Sequence, residues 1–271
     1  MTPINQNQYS DDLPIETEAV QVTFPRPHVA LITISSEPLG VLRFGVKRTL
    51  RKKLKELEAN RDIRCLILTG TGTAFSVGSD IRDFRQDIGW LLENDYIEAN
   101  LNADIENSRL PIIAACNGYT LGGGAVLTLA CDIRLAAKSA TFGFPEVKVG
   151  AFASGSGTQR LPRLVGRGRA LDLLMTGRII NADEALIIGL VEYVVPDQDL
   201  MDKALDLAEQ IAANSAPAVS ATKLCVNIGL REGIETGLAM EQKMRVKTGV
   251  GPDAIEGKEA FIEKRIPKFI E

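Results

Sequence analysis

Histidine is nearly missing from this chain: His28 is the only one in 271 residues, and it sits in a predicted hairpin. That speaks against Ser–His hydrolysis. Ser156, preceded two residues earlier by Ser154 instead of glycine, also offers no GxSxG turn. Cysteine is scarce as well. Cys65, Cys116, Cys131 and Cys225 lie in apolar segments without CxxC spacing, so no metal cluster is expected. They read as buried, reduced thiols of a cytoplasmic protein. Basic charge is not in excess: the net charge of −4 and pI near 5.3 argue against nucleic acid as the main partner. The polar stretch Met1–Pro14 lacks the basic-then-apolar order of a signal peptide and is expected to fray. No membrane span is expected either. The run Leu110–Cys131 has the length, but Asn117 and Gly122–Gly124 interrupt it, so it reads as a buried strand followed by a buried helix.

What is present is an ordinary globular composition, 45% hydrophobic and 24% charged, over a length that suits one large α/β domain or two small ones. Alternating segments Ala19–Phe24 and His28–Ser35 predict a hairpin, and Val46, Leu50, Leu54 and Leu57 predict a helix over 46–59. The basic cluster Lys47, Arg48, Arg51, Lys52, Lys53 and Lys55 reads as that helix's solvated face, with an anionic-ligand rim as the alternative. Strands are predicted at 65–68, 112–116 and 132–136, a helix at 88–110, and a helix from the triple glycine to about Leu129. Beyond Ser154 the pattern turns helical apart from a strand-like break at 191–195, with helices closed by Gly166, Gly177 and Gly189. Strands alternating with helices, then helices alone, indicate an α/β core with a C-terminal helical extension.

The feature that carries most chemistry is Gly118-Tyr-Thr-Leu-Gly-Gly-Gly-Ala-Val126. Three glycines opening a helix after a buried strand leave N–H groups without intrahelical partners and without a covering Cβ, ready for negative charge. A dinucleotide fingerprint is not met, because Leu127 stands where the third small residue is required. A second glycine-bearing turn lies in Ala74-Phe-Ser-Val-Gly-Ser-Asp-Ile81, and a carboxylate follows in Phe144-Pro-Glu146. Two such turns can each aim one N–H at a single oxygen, forming an oxyanion hole worth roughly 3 kcal/mol per donor in the transition state. A thioester carbonyl held there enolises more easily, with Glu146 as base or acid at carbon.

On these residues the chain resembles the enoyl-CoA hydratase/isomerase (crotonase) superfamily from about Ala19 to Glu271. The motifs occur in family order: Ala74–Ile81, Asn117–Gly124 with Cys131–Arg134, Pro145-Glu146, Gly157–Leu161, Gly189–Val191, and Glu256-Gly257 through Pro267. The resemblance implies a ββα spiral core over 15–200 and a helical trimerisation region over 201–271. It implies N–H donors at Ser79 and Gly123, with Glu146 catalytic and Ser76, Asp80, Ile81, Gly122 and Ser154 at the substrate or coenzyme A. Asp80 is expected to cap the next helix, and Asp132 to be structural. The Ser79 hydroxyl either touches ligand or is solvated by its loop. No cofactor is implied beyond coenzyme A as part of an acyl-CoA substrate, and a homotrimer or homohexamer is expected.

Departures from the family pattern narrow the chemistry. Hydratases of the family resemble one another in two glutamates; here Val126 occupies the first place and Glu146 the second. A single glutamate can still shuttle a proton between C2 and C4, as in family members resembling Δ3,Δ2-enoyl-CoA isomerases. Atypical hydration, decarboxylation or C–C cleavage, and non-catalytic binding of a CoA ester or partner, are the alternatives. Pro38–Gly45 replaces the family's Asn-Ala-Leu-Asn-like segment, and Ser154 replaces an acid used by dienoyl isomerases. Ser154 reads either as an orienting group or as a helix N-cap.

Overall fold

The computed structural model describes residues 16–270; the expectation that Met1–Pro14 frays lies outside them. The predicted hairpin forms from β1 (Val20–Arg26) and β2 (Val29–Ile34), antiparallel, with Val20 opposite Ile34. His28 turns the corner at φ 62° and bonds the Asp62 carbonyl through Nδ1 at 2.8 Å. From β2 the chain enters α1 (Phe44–Ala59) and then β3 (Cys65–Gly70), which pairs parallel with β2.

A ββα step follows and recurs. After β3 come β4 (Ala74–Ser76) and α2 (Ile88–Asn107); after β5 (Ile112–Cys116) come β6 (Tyr119–Leu121) and α3 (Gly123–Ala130). The third step begins with β7 (Ile133–Ala137) and β8 (Thr141–Gly143). The first strand of each step joins one sheet, ordered β1-β2-β3-β5-β7 and closed by β10 (Tyr193–Val195). The second strand joins another, ordered β4-β6-β8 and closed by β9 (Ile179–Asn181). Each step advances one strand in both sheets, which makes the fold a spiral. The short strands β4, β6, β8 and β9 are the elements that sequence periodicity missed; at three residues alternation barely registers, and β10, equally short, shows in the sequence only as a break between helices.

Cys65–Leu68 and Ile112–Cys116 are buried residue by residue because both faces of their sheet are covered. On one face Leu50 and Leu54 of α1, Leu101 and Ile105 of α2 and Leu127 of α3 gather over Ile32, Leu66, Leu68 and Ile112. Each such side chain contributes about 1.5–3 kcal/mol relative to exposure. On the other lies α7 (Leu200–Ala212), against β2, β3, β5 and β7. The expected boundary at 200/201 placed this helix in the extension; its buried Leu200, Ala204, Leu205 and Ala208 make it part of the core instead. In the chain, α4 (Gly157–Val165), α5 (Arg167–Thr176) and α6 (Ala182–Ile187) come between β8 and α7. The C-terminal helices are α8 (Ala216–Glu232), α9 (Ile234–Gly249) and α10 (Pro252–Glu263).

Asp132 ties α8 to the core. Lys223 donates to Asp132 Oδ2 at 2.8 Å and to the Ile105 and Leu110 carbonyls at 3.0 and 2.9 Å. Asp132 Oδ2 also accepts the Ile112 N–H at 2.7 Å. Lys223→Met leaves two carbonyls and a carboxylate without their donor. It is expected to cost about 2–3 kcal/mol, roughly 5–10 °C in thermal midpoint by circular dichroism; an unchanged midpoint would show that α8 is held by packing alone.

Candidate active site

Two turns converge because almost nothing covers their backbones. The chain leaves β4 through Val77-Gly78-Ser79-Asp80, with Gly78 at φ +85°. A Cβ at Gly78 would stand 2.6 Å from the Gly123 nitrogen, so this position must stay bare for the turns to approach. The second turn leaves β6 at Gly122 (φ +53°, ψ −131°) and starts α3 at Gly123. The Cβ position of Gly123 lies 3.7 Å from the Ser79 nitrogen. Among the described residues neither Ser79 N–H nor Gly123 N–H finds a protein acceptor. Two unpaired donors thus sit side by side at a helix start, able to receive one oxygen.

Neighbouring segments brace the first turn. The Ser76 hydroxyl donates to the Gly40 carbonyl at 2.7 Å and accepts the Gly78 N–H at 3.1 Å. Leu42 N–H donates to the Gly78 carbonyl and Val77 N–H to the Leu39 carbonyl. The unusual segment 38–45 is therefore a strut for this turn. Ser76, expected at the substrate, is fully buried with its hydroxyl spent on this brace, so it has no face left for a ligand. Asp80 accepts the Arg82 N–H and pairs with the Arg82 guanidinium, whose hydrogen bonds hold its carboxyl down to about 2. It caps a short 3₁₀ turn (Ile81–Asp83), not the α-helix expected there. Ile81 beside it is exposed.

Glu146 enters from the 3₁₀ turn Pro145–Val149 after β8. Its Oε1 lies 3.7 Å from the Cβ position of Gly122, so the carboxylate faces the glycine turn. Its Oε2 is buried without a hydrogen-bond partner among the described residues. Burial pushes the Glu146 carboxyl above the usual carboxylate range, and the charge of Glu98 adds to the rise. Val126 is buried and packs toward α4, its Cγ2 2.9 Å from the Cβ position of Gly157. Ser154 is half-buried on the loop before α4. It is not the N-cap read from sequence, since α4 starts at Gly157 with Ser156 in the capping place.

A model of the enoyl-CoA hydratase/isomerase family matches residues 26–271. The putative enoyl-CoA hydratase/isomerase YngF of Bacillus subtilis is 42% identical over 92% of this chain and 96% of its own length. The short-chain-enoyl-CoA hydratase of Clostridium acetobutylicum is 38% identical over 88% of this chain and 92% of its own. A crystal structure of enoyl-CoA hydratase from Bacillus anthracis superposes with a TM-score of 0.90, 37% identity, and coverage of 93% of this chain and 98% of that one. The chain belongs to the enoyl-CoA hydratase/isomerase family. It is an enzyme of that superfamily with the crotonase fold.

Within this family member the structure adds a cluster that sequence reasoning missed. Lys47 does not lie on a solvated helix face: it is 1% exposed. Its Nζ donates to Ser79 Oγ at 2.8 Å and Asn94 Oδ1 at 3.0 Å, and stands 3.5 Å from Glu98 Oε1. The Ser79 hydroxyl is thus an acceptor for a buried ammonium, not a loop group in water. Glu98 Oε1 lies 2.8 Å from the Cβ position of Gly123. The available signal was Asn94, Glu98 and Asn102 at four-residue spacing on α2, a polar stripe on a helix whose Ile97, Leu101 and Ile105 are also buried.

Two outcomes follow. Gly78→Ala forces a Cβ onto the Gly123 nitrogen at positive φ. It is expected to lower turnover of any accepted enoyl-CoA about 100-fold or more in a steady-state assay while the protein stays folded. Glu146→Gln removes a buried charge whose folded pKa is raised. Stability from such a group is present below the unfolded carboxylate pKa and lost as pH rises through the folded value. The variant should therefore melt above the wild type near about pH 7, with the gap closing toward about pH 4. A wild type that melts higher at both would show that Glu146 is stabilised, not strained, in the fold.

Proposed function

We propose that the protein moves a proton on an acyl-CoA thioester whose oxygen is held by Ser79 and Gly123 N–H, most simply interconverting 3-enoyl- and 2-enoyl-CoA. One observation carries this reading. The half-buried Glu146, with a buried, unpartnered oxygen and a raised pKa, faces a bare glycine turn whose donors have no other acceptor. As charge leaves C2 or C4 it moves to the thioester oxygen, where the two N–H groups strengthen their hold; Glu146 takes the proton and returns it at the other carbon. A carboxylate with a raised pKa is a stronger base than an ordinary one and takes the proton from carbon more readily. Val126, apolar and turned toward α4, supports a glutamate working without a partner at that position. Coenzyme A enters as part of the substrate. The free thiols suit a reducing, cytoplasmic setting.

Incubation with a panel of 3-enoyl- and 2-enoyl-CoA thioesters in heavy water should place deuterium at C2 or C4, read by mass spectrometry. Glu146→Gln should lower that exchange by about 100-fold or more. Absence of exchange across the panel would sink the reading. We also propose a homotrimer or homohexamer. The exposed Leu230, Ile234, Leu238, Val246 and Phe261 of α8–α10 support subunit contact, and light scattering at a trimer or hexamer mass is the expected result.

A further inference from the structure

Position 126 is where a second carboxylate is missing, yet the site does not hold only one. We propose that Glu98, held by Lys47, is the second acid–base carboxylate of the site, delivered by α2 instead of α3, and that it takes the proton of a water while Glu146 works at carbon. The proposal rests on the enolate reading given above and extends it to addition of water across the double bond.

Glu98 lies between two bare backbones. Its Oε1 is 2.8 Å from the Cβ position of Gly123, and its Cγ and Cδ are 3.1 and 3.3 Å from that of Gly155. A side chain at Gly123 would displace the carboxylate, and one at Gly155 would crowd it. On its own helix it is flanked by Asn94 and Asn102, and Asn102 Nδ2 holds the Gly155 carbonyl at 2.7 Å, fixing the loop that covers it. Lys47 donates to Ser79 Oγ and Asn94 Oδ1 and forms an ion pair with Glu98 Oε1 at 3.5 Å, so its partners lie within the protein and it acts as a positioning residue. The pair joins Glu98 to the Ser79 turn that offers one of the two free N–H groups. Among the described residues, Oε2 of Glu98 has no protein donor. Glu146 Oε2 is likewise without a partner, and the two carboxylates are close enough for the charge of one to raise the pKa of the other. A buried carboxylate tied to a cation and a buried carboxyl with no cation divide the work between a base and an acid.

In the forward step the water oxygen bonds to C3 of a 2-enoyl thioester and its proton goes to Glu98. The C2=C3 electron pair moves toward C2 and the thioester oxygen, which Ser79 and Gly123 N–H receive. As the enolate collapses, Glu146 gives its proton to C2. Glu98 is then protonated and Glu146 ionised, and exchange with solvent restores both.

The test compares water addition to short- and medium-chain 2-enoyl-CoA with deuterium exchange at C2 of 3-enoyl-CoA, in the wild type and in Glu98→Gln. The expected result is that Glu98→Gln lowers the ratio of water addition to exchange by about 100-fold or more. A second variant, Lys47→Met with Glu98→Leu, replaces the ion pair by apolar side chains of similar volume. It is expected to melt cooperatively and to add no water. Water addition retained within about threefold in either variant would overturn the proposal, as would a wild type that exchanges C2 but hydrates nothing. A wild type that does neither would overturn the enolate reading itself.

Discussion

Everything proposed for this site depends on two stretches of backbone that come closer than any side chain allows. A Cβ on Gly78 would stand 2.6 Å from the Gly123 nitrogen, so the approach exists only because position 78 is glycine. The elements behind them hold that approach in place. Asn117 donates to the Gly72 and Ala74 carbonyls and accepts the Gly70 N–H, which locks the β3–β4 connection to the β5–β6 connection. Parallel pairing of β4 with β6 and of β6 with β8 then carries Glu146 to the same place. The spiral is in this sense a device for setting three consecutive loops side by side.

Charge at the site is arranged unevenly. Glu146 sits where burial raises its pKa and nothing pairs with its inner oxygen. Glu98, on α2, is matched by an ammonium that is itself 1% exposed. Removing two charges from water is costly, and a well-packed apolar pair would serve stability as well or better. A buried lysine and glutamate beside unpaired N–H groups therefore point to a functional arrangement more than to a structural one. The hydroxyl of Ser79, where alanine would serve a main-chain donor equally well, is what the lysine grips.

Much of the fold was legible in the sequence, and for a stated reason in each case. Cys65–Leu68 and Ile112–Cys116 are continuous apolar runs because both sheet faces are covered, and α1 shows its buried stripe at Val46, Leu50, Leu54 and Leu57. The three-residue strands β4, β6, β8 and β9 left no periodic trace, so the second sheet was invisible. Ser76 matched a motif that suggested ligand contact; its neighbours Gly40 and Gly78 take both of its bonds. Lys47 belonged to a run of basic residues in which its place three residues before Leu50 and seven before Leu54, on the inward face, set it apart.

The sequence by itself determined the family, the bare glycines at 78 and 122–124, the glutamate at 146 and the valine at 126, because motif order and residue type are local properties of the chain. Only the tertiary structure decided what stands beside them. Lys47 and Glu98 are 51 residues apart and lie on different helices. No local rule pairs them; packing of α1 against α2 does, by excluding water from both.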